Sequence, residues 1–342
     1  MSRAGMDQLL SIRDFEAEAE TRAAPGAWAR IQGGAADELT LRWNCEAWQQ
    51  LRLRPRVLVD VSKVDTRLSL FGRELPFPIL LAPTGAQALI HPNGDLEVAD
   101  GAGAAHAALV ISSSASLPVE QVARRATGPV WFQLYLQPDR AFTKDLVQRA
   151  EGAGCRAICV TVDSPTHGVR DREHRAKSQL PDRPLPNFAS KDYLNPALTW
   201  KDIEWLQSFA KTPILLKGIL DADDAGLSVA AGVAGIIVSN HGGRNLDTAP
   251  ATADALPEIA ERVAGRVPVI VDGGIRRGTD ILKALALGAS AVEVGRPYLY
   301  GLSVAGAEGV ARVIQILRRE FELAMMLTGR PTIASIDRSV LW

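Results

Sequence analysis

From about residue 78 onward, short apolar runs rich in Val, Ile and Leu recur, each too unbroken for a strand with one wet face. They are PILLAPTG (78–85), LVISSS (109–114), VWFQLYL (130–136), AICVTVDS (157–164), PILLKGI (213–219), GIIVSNHG (235–242), PVIVDGG (268–274) and AVEVGRP (291–297). Between them lie stretches with helical spacing, such as DLEVADGAGAAHAAL, DLVQRAEGAG, DDAGLSVAAG and GTDILKALALGA, several ending in a glycine that stops a helix before the next strand. Strict alternation predicts a parallel α/β sheet, and eight repeats predict closure into a TIM (β/α)8 barrel. An open doubly wound sheet is the alternative, and it requires a reversal of strand order.

Residues 7–32 predict helices ahead of the barrel, and EGVARVIQILRREFELAMMLTG (308–329) predicts an amphipathic helix that closes it. The connection 165–199 is charged, proline-rich and too irregular for a plain crossover, which places it as a lid after the fourth strand. No linker or low-complexity tract divides the chain, so 1–342 reads as one domain, with 1–64 an N-terminal extension and 65–342 the barrel and its closing helix.

The 342 residues suit one such barrel. With 38 Lys+Arg against 39 Asp+Glu, the formal net charge of -1 offers no electrostatic footprint for nucleic acid or an anionic membrane. No run approaches the ~18–20 apolar residues of a membrane span. The start, MSRAGMDQLLSIRDFEAEAE, has acids where the core of an export signal would sit, so a cytoplasmic enzyme without membrane attachment is expected. Cys45, Cys155 and Cys159 cannot all pair and have no His at finger spacing; all three are expected as buried small hydrophobes, with no metal.

Polar residues gather at the C-terminal ends of the apolar runs: Ser112, Gln133, Tyr135, Thr161, Asp163, Lys217, His241, Arg244, Asp272 and Arg296. In barrel enzymes that face carries the chemistry. The DGGIRRG stretch after the seventh run and VGRP after the eighth sit where barrels bind phosphate, with Arg276, Arg277 or Arg296 to supply charge. A tight turn is the plainer reading of the paired glycines. In SNHGGRNLD (239–247), His241 is placed to move a proton and Arg244 to clamp a carboxylate, with Asp163 as the partner for the imidazole. A lone His at a strand end is more often structural. Lys217 ends an apolar strand, where it reads as a structural ion pair, a Schiff-base amine, or a fixed charge facing a cofactor.

These blocks, with FQLY, TVDSP, LLKG and APTG in the same order, resemble the FMN-dependent 2-hydroxy acid oxidases and dehydrogenases, the group of glycolate oxidase, lactate oxidase and mandelate dehydrogenase. The resemblance implies FMN as cofactor and His241 as catalytic base with Asp163 orienting it. It implies Arg170 and Arg244 on the substrate carboxylate, Tyr135 hydrogen-bonded to the substrate, and Lys217 beside the flavin ring edge that gains negative charge. By the same likeness Pro83, Thr84 and Gly85 line the flavin through backbone atoms, Ser112, Gln133 and Thr161 bond its polar ring edge, and Ser239 also belongs to the cofactor site. Asp272, Gly274, Arg276, Gly295 and Arg296 resemble the ribityl and phosphate site. The family also implies a homotetramer.

Three positions depart from the family pattern. Arg30, in WARIQGGAADE, stands where a substrate-contacting tyrosine is usual, as a third cation for an acidic substrate or as a residue turned outward. Ser114 stands where glycolate oxidases often carry tryptophan, which widens the pocket towards lactate-sized or larger acids such as mandelate. Gly85 resembles dehydrogenase members rather than oxidases, whereas the long connection lacks the apolar face of a membrane-associated dehydrogenase.

The expected reaction is oxidation of an (S)-2-hydroxy acid to the 2-oxo acid, with electrons passing to O2 to give H2O2. The alternative passes them to a quinone or another carrier. A Schiff-base barrel and a non-catalytic barrel are the competing classes.

Overall fold

The structure, a computed structural model, describes residues 3–176 and 185–342. Eight strands close a barrel: β3 (Ile79–Leu81), β4 (Ala108–Ser112), β5 (Val130–Leu134), β6 (Ile158–Thr161), β7 (Ile214–Ile219), β8 (Gly235–Val238), β9 (Val269–Val271) and β10 (Ala291–Val294). All neighbours run parallel, and β10 pairs with β3 as well as β9, so no edge is left and the open-sheet alternative falls. Each strand is one of the eight apolar runs, and most runs outlast their strand. Where Pro, Gly or polar side chains begin, the chain leaves the ladder and becomes the rim of the site.

A hairpin precedes the barrel, β1 (Leu68–Leu70) and β2 (Arg73–Leu75), which the sequence reading did not anticipate. It plugs the N-terminal mouth. Leu70 and Leu75 pack with the inward layer Leu80, Val110, Trp131, Cys159, Leu215, Ile237 and Ile270, and the Phe71 ring meets Trp131 edge-on at 5.3 Å. Along the strands every second residue points inward, so the layer above this apolar floor is Ser112, Gln133, Thr161, Lys217, Ser239, Asp272 and Glu293, all buried.

The expected N-terminal helices form over Ile12–Arg22 and Pro25–Gln32, and a further helix, Leu39–Gln50, follows. The latter starts from Glu38 in the left-handed region with no side-chain cap, so it lacked a start signal. The last helical stretch begins earlier than expected, at Arg296, and breaks at Ala305 and Gly306 before running on to Leu327. Within the connection 165–199, a short helix spans Asp171–Arg175; residues 177–184 of the expected lid lie outside the described residues. Cys155 and Cys159 are buried as expected, but Cys45 is only partly so. No helix among the described residues is long and apolar enough to cross a membrane, and no cluster of metal-ligating side chains occurs among them.

Candidate active site

One cavity opens at the C-terminal mouth of the barrel. Of the residues expected at a site, Arg30, Pro83, Thr84, Gly85, Ser112, Gln133, Tyr135, Thr161, Arg170, Lys217, His241, Arg244, Asp272, Gly274, Arg276, Gly295 and Arg296 line it. Asp163 and Ser239 stand one bond behind, on His241 and Lys217 respectively.

His241 follows β8 with φ +57, a left-handed backbone that few non-glycine residues hold without support. Support comes from both sides. Its backbone N–H donates to Ser239 Oγ at 3.1 Å, and its ring Nδ1 lies 3.1 Å from Asp163 Oδ1. Burial works against charge on Asp163, but His241 and Lys217 outweigh it and hold the carboxyl below its usual range. An ionised Asp163 accepts from Nδ1–H, which leaves Nε2 as the ring's acceptor. Ser164 Oγ donates to Asp163 at 3.0 Å, and Asn245 donates to Ser164 Oγ at 2.7 Å and to the Asp163 carbonyl at 2.9 Å.

Lys217 donates to Asp272 Oδ2 at 2.6 Å and Ser239 Oγ at 2.7 Å, and Ser239 Oγ donates to the same carboxylate oxygen at 2.8 Å. Burial opposes the ammonium, yet Asp272 and Glu293 push its pKa above the ordinary lysine value, so it stays charged. An ammonium held by Asp272 and Ser239 offers no lone pair to a carbonyl, which speaks against the Schiff-base reading. The other oxygen of Asp272, Oδ1, is buried in the cavity wall without a partner among the described residues, as a group awaiting a hydroxyl donor would be. Gln133 donates to Thr161 Oγ1 at 2.9 Å and accepts from Ser112 Oγ at 3.1 Å.

At the expected phosphate end, Gly274 has φ +77, and a Cβ there would lie 2.0 Å from the Asn44 carbonyl oxygen, so the turn needs glycine where helix Leu39–Gln50 presses on it. The Arg296 guanidinium donates to three carbonyls, Ile31 (2.8 Å), Gly242 (2.9 Å) and Gly33 (2.8 Å), leaving two of its five N–H donors for the cavity. Arg276 lines the same end. Two guanidiniums and a lysine at the ring end as donors, with the spare Asp272 oxygen as an acceptor, form a set that fits FMN.

Three arginines gather above His241. Arg244 donates to the carbonyls of Arg30 (2.8 Å) and Gly33 (2.7 Å) and to Glu173 (2.9 Å). Arg30 reaches Glu173 at 2.5 Å, and Arg170 lies 3.9 Å from it. Arg30 thus neither turns out to solvent nor points freely at a ligand; it lines the cavity while bound from behind by Glu173. Burial works against charge on Glu173, and the three arginines more than offset it, lowering its pKa. Burial and the neighbouring Arg170 and Arg30 push the Arg244 pKa well below its ordinary value. Three cations against one carboxylate leave the site poised for an anion.

The sequence reading missed Glu173, Ser164, Asn245, Glu293, His167 and Tyr193. Glu173 follows Arg170 at an i,i+3 spacing, and Asn245 adjoins Arg244, signals that were there to use. A Cβ at Gly85 would lie 2.3 Å from Ser114 Cβ, so packing against the next loop by itself requires glycine there.

A family model described as FMN-dependent dehydrogenase matches residues 19–342. The chain is 45% identical to a peroxisomal (S)-2-hydroxy-acid oxidase of Oryza sativa subsp. japonica, over 96% of this chain and 95% of that protein. It is 43% identical to an L-lactate oxidase of Nostoc sp., over 97% and 98%. Among solved structures, a mandelate oxidase with (S)-2-phenylpropionate superposes with a TM-score of 0.92 at 40% identity, covering 96% of this chain and 97% of that one.

Proposed function

The chain belongs to the FMN-dependent dehydrogenase family, and from that premise we propose that it oxidises an (S)-2-hydroxy acid, lactate- to mandelate-like, to the 2-oxo acid. Bound FMN would supply the two-electron acceptor that O2 then reoxidises, so that overall R–CHOH–COO⁻ and O2 become R–CO–COO⁻ and H2O2. The observation that carries this reading is the His241–Asp163 pair, 3.1 Å apart, in the same cavity as three arginines and Lys217.

In this reading Arg170 and Arg244 grip the substrate carboxylate, Tyr135 hydrogen-bonds the substrate, and the hydroxyl is presented to His241. His241 takes a proton at Nε2, and Asp163 holds the imidazole in the tautomer that can do so and stabilises the charge it gains. Lys217 supplies a fixed positive charge where reduction places negative charge, already oriented by Asp272 and Ser239. Pro83, Thr84 and Gly85 line the ring, and Ser112, Gln133 and Thr161 meet its polar edge. Asp272 takes the ribityl chain through its spare oxygen, and Gly274, Arg276, Gly295 and Arg296 hold the phosphate. Arg30 acts with Glu173 to position the carboxylate grip.

O2 is favoured as acceptor because the feature that pointed to another carrier, Gly85, is accounted for by Ser114. A homotetramer in the cytoplasm belongs to the same reading, supported by the exposed Val57 and Leu58, 80% and 102% open in one chain; the plant relatives with peroxisomal names make compartment a separate test. The decisive experiment records the anaerobic spectrum of the purified protein with a panel of L- and D-2-hydroxy acids, then admits air. Bleaching by an L-acid and fast recovery with peroxide supports the oxidase; slow recovery means a dehydrogenase, and no bleaching by any 2-hydroxy acid overturns the reading.

A further inference from the structure

Glu293 is 1% exposed, points into the barrel from β10 and lines the floor of the cavity, yet neither of its carboxyl oxygens has a hydrogen-bond partner among the described residues. Buried polar groups almost always have partners, and a carboxyl with two bare oxygens is an exception that calls for a cause. On the β3 side its strand neighbour is Leu80. On the β9 side it continues the Val292–Val271 pairing into Asp272. Lys217 of β7, Cys159 of β6 and Tyr298, just after β10, are titratable groups that feel its charge.

Lys217 is the only cation in that set, and its ammonium is already committed to Asp272 and Ser239. With both carboxyls ionised, the barrel interior would hold two negative charges against one positive. A proton on Glu293 restores neutrality. Burial pushes its carboxyl up to about 8, against the pull of Lys217 and with the help of Asp272. A neutral acid then carries an O–H donor, no donor among the described residues reaches either of its oxygens, and its open side is the cavity floor.

We infer that Glu293 is a neutral carboxylic acid that donates a hydrogen bond into the cavity floor, and that its ionisation turns the Lys217–Asp272–Glu293 cluster net negative and makes bound FMN harder to reduce. The inference rests on the reading that this cavity holds FMN. It makes Glu293 a positioning residue that acts through local charge and one hydrogen bond, within the layer that also carries Lys217.

The test uses the purified holoenzyme and two readouts other than turnover. Infrared difference spectra taken on either side of pH 8 should show a protonated-carboxyl C=O band that disappears as pH rises, and that band should be absent from E293Q. The reduction potential of the bound flavin, titrated against a reference dye, should fall more steeply with pH in the wild type than in E293Q, whose amide stays neutral. A wild-type carboxyl band that survives E293Q, or identical potential-against-pH profiles in the two proteins, overturns the inference. If E293Q does not fold, D272N decides: with Asp272 neutral, Glu293 becomes the partner of Lys217 and its protonated band should vanish at neutral pH, and persistence of the band overturns the inference. A purified protein without flavin absorbance sinks the FMN reading and the potential half of the inference with it, while the infrared arm still decides whether Glu293 carries a proton.

Discussion

Replacing Asp163 by Asn keeps the size of the side chain and removes the charge that faces His241. The Nδ1–Oδ1 separation is 3.1 Å, and both side chains are largely buried, 23% and 12% exposed. At an effective dielectric of about 20, a carboxylate at that distance stabilises an imidazolium by about 5 kcal/mol. Water reaches part of the ring, so roughly half of that survives, about 3 kcal/mol, which is about a hundredfold in rate. An amide also fails to enforce one tautomer, since it can donate to Nδ1 as well as accept from it, and this adds to the loss. The assay is stopped-flow bleaching of the flavin under anaerobic conditions with the L-2-hydroxy acid found by the panel. D163N should lower the limiting reduction rate at least about a hundredfold while its affinity for the 2-oxo acid product stays near wild type. A limiting rate within about tenfold of wild type, with flavin fully bound, would refute the assignment of Asp163 and weaken that of His241.

Other substitutions probe the rest of the site. Glu173→Gln leaves three guanidiniums to repel one another, so KM should rise more than kcat falls and the melting temperature should drop; an unchanged KM sinks the positioning role given to Glu173 and Arg30. Lys217→Met leaves the Asp272 carboxylate unpaired in the barrel, at a cost of about 3–5 kcal/mol, and should release flavin on gel filtration; full flavin retention would speak against its place beside the ring. Gly85→Ala should cost about 1–3 kcal/mol from the Cβ clash, partly recovered by adding Ser114→Gly, as thermal melts of the single and double variants would show; a silent G85A contradicts the packing account. Because Glu293 keeps its proton to a higher pH in the folded state than in the unfolded chain, its contribution to stability is present below pH 4.5 and lost as pH rises towards about 8. E293Q should flatten that slope in denaturant titrations across the interval, and an unaltered slope would place the proton elsewhere.

The barrel was legible because its strands are buried on both faces, which turns them into apolar runs that need no subtle periodicity to find. The hairpin LSLFGREL was not, since three-residue strands leave too short a pattern to distinguish from a loop. Helix Leu39–Gln50 was missed for want of a cap and a clear apolar stripe. At the site, residues on strand ends were readable one by one, because each is a polar break in an apolar run. Glu293 broke the same rule inside AVEVGRP and was passed over, as the run was read for its hydrophobicity rather than for which face each residue takes. Glu173 and Tyr193 come from an irregular connection, where only the folded chain shows what is near what.

The groups around the ring and the groups around the substrate arrive by separate routes. Ser112, Gln133, Lys217, Asp272 and Glu293 stand on the barrel staves, whereas Arg30, Arg170, Glu173 and Tyr193 come from segments laid across its mouth. Those segments are tied to one another, Arg172 to Glu38, the Ala36 amide to the Val169 carbonyl and Arg30 to Glu173, and to the strand ends through Arg244 and Arg296. A change in acid preference can be inherited or engineered as a swap of the canopy that keeps the Ile31 and Gly33 carbonyls bound by Arg296. A chimaera that takes these mouth segments from a relative with a different substrate should change which acid bleaches the flavin without changing the flavin's own spectrum.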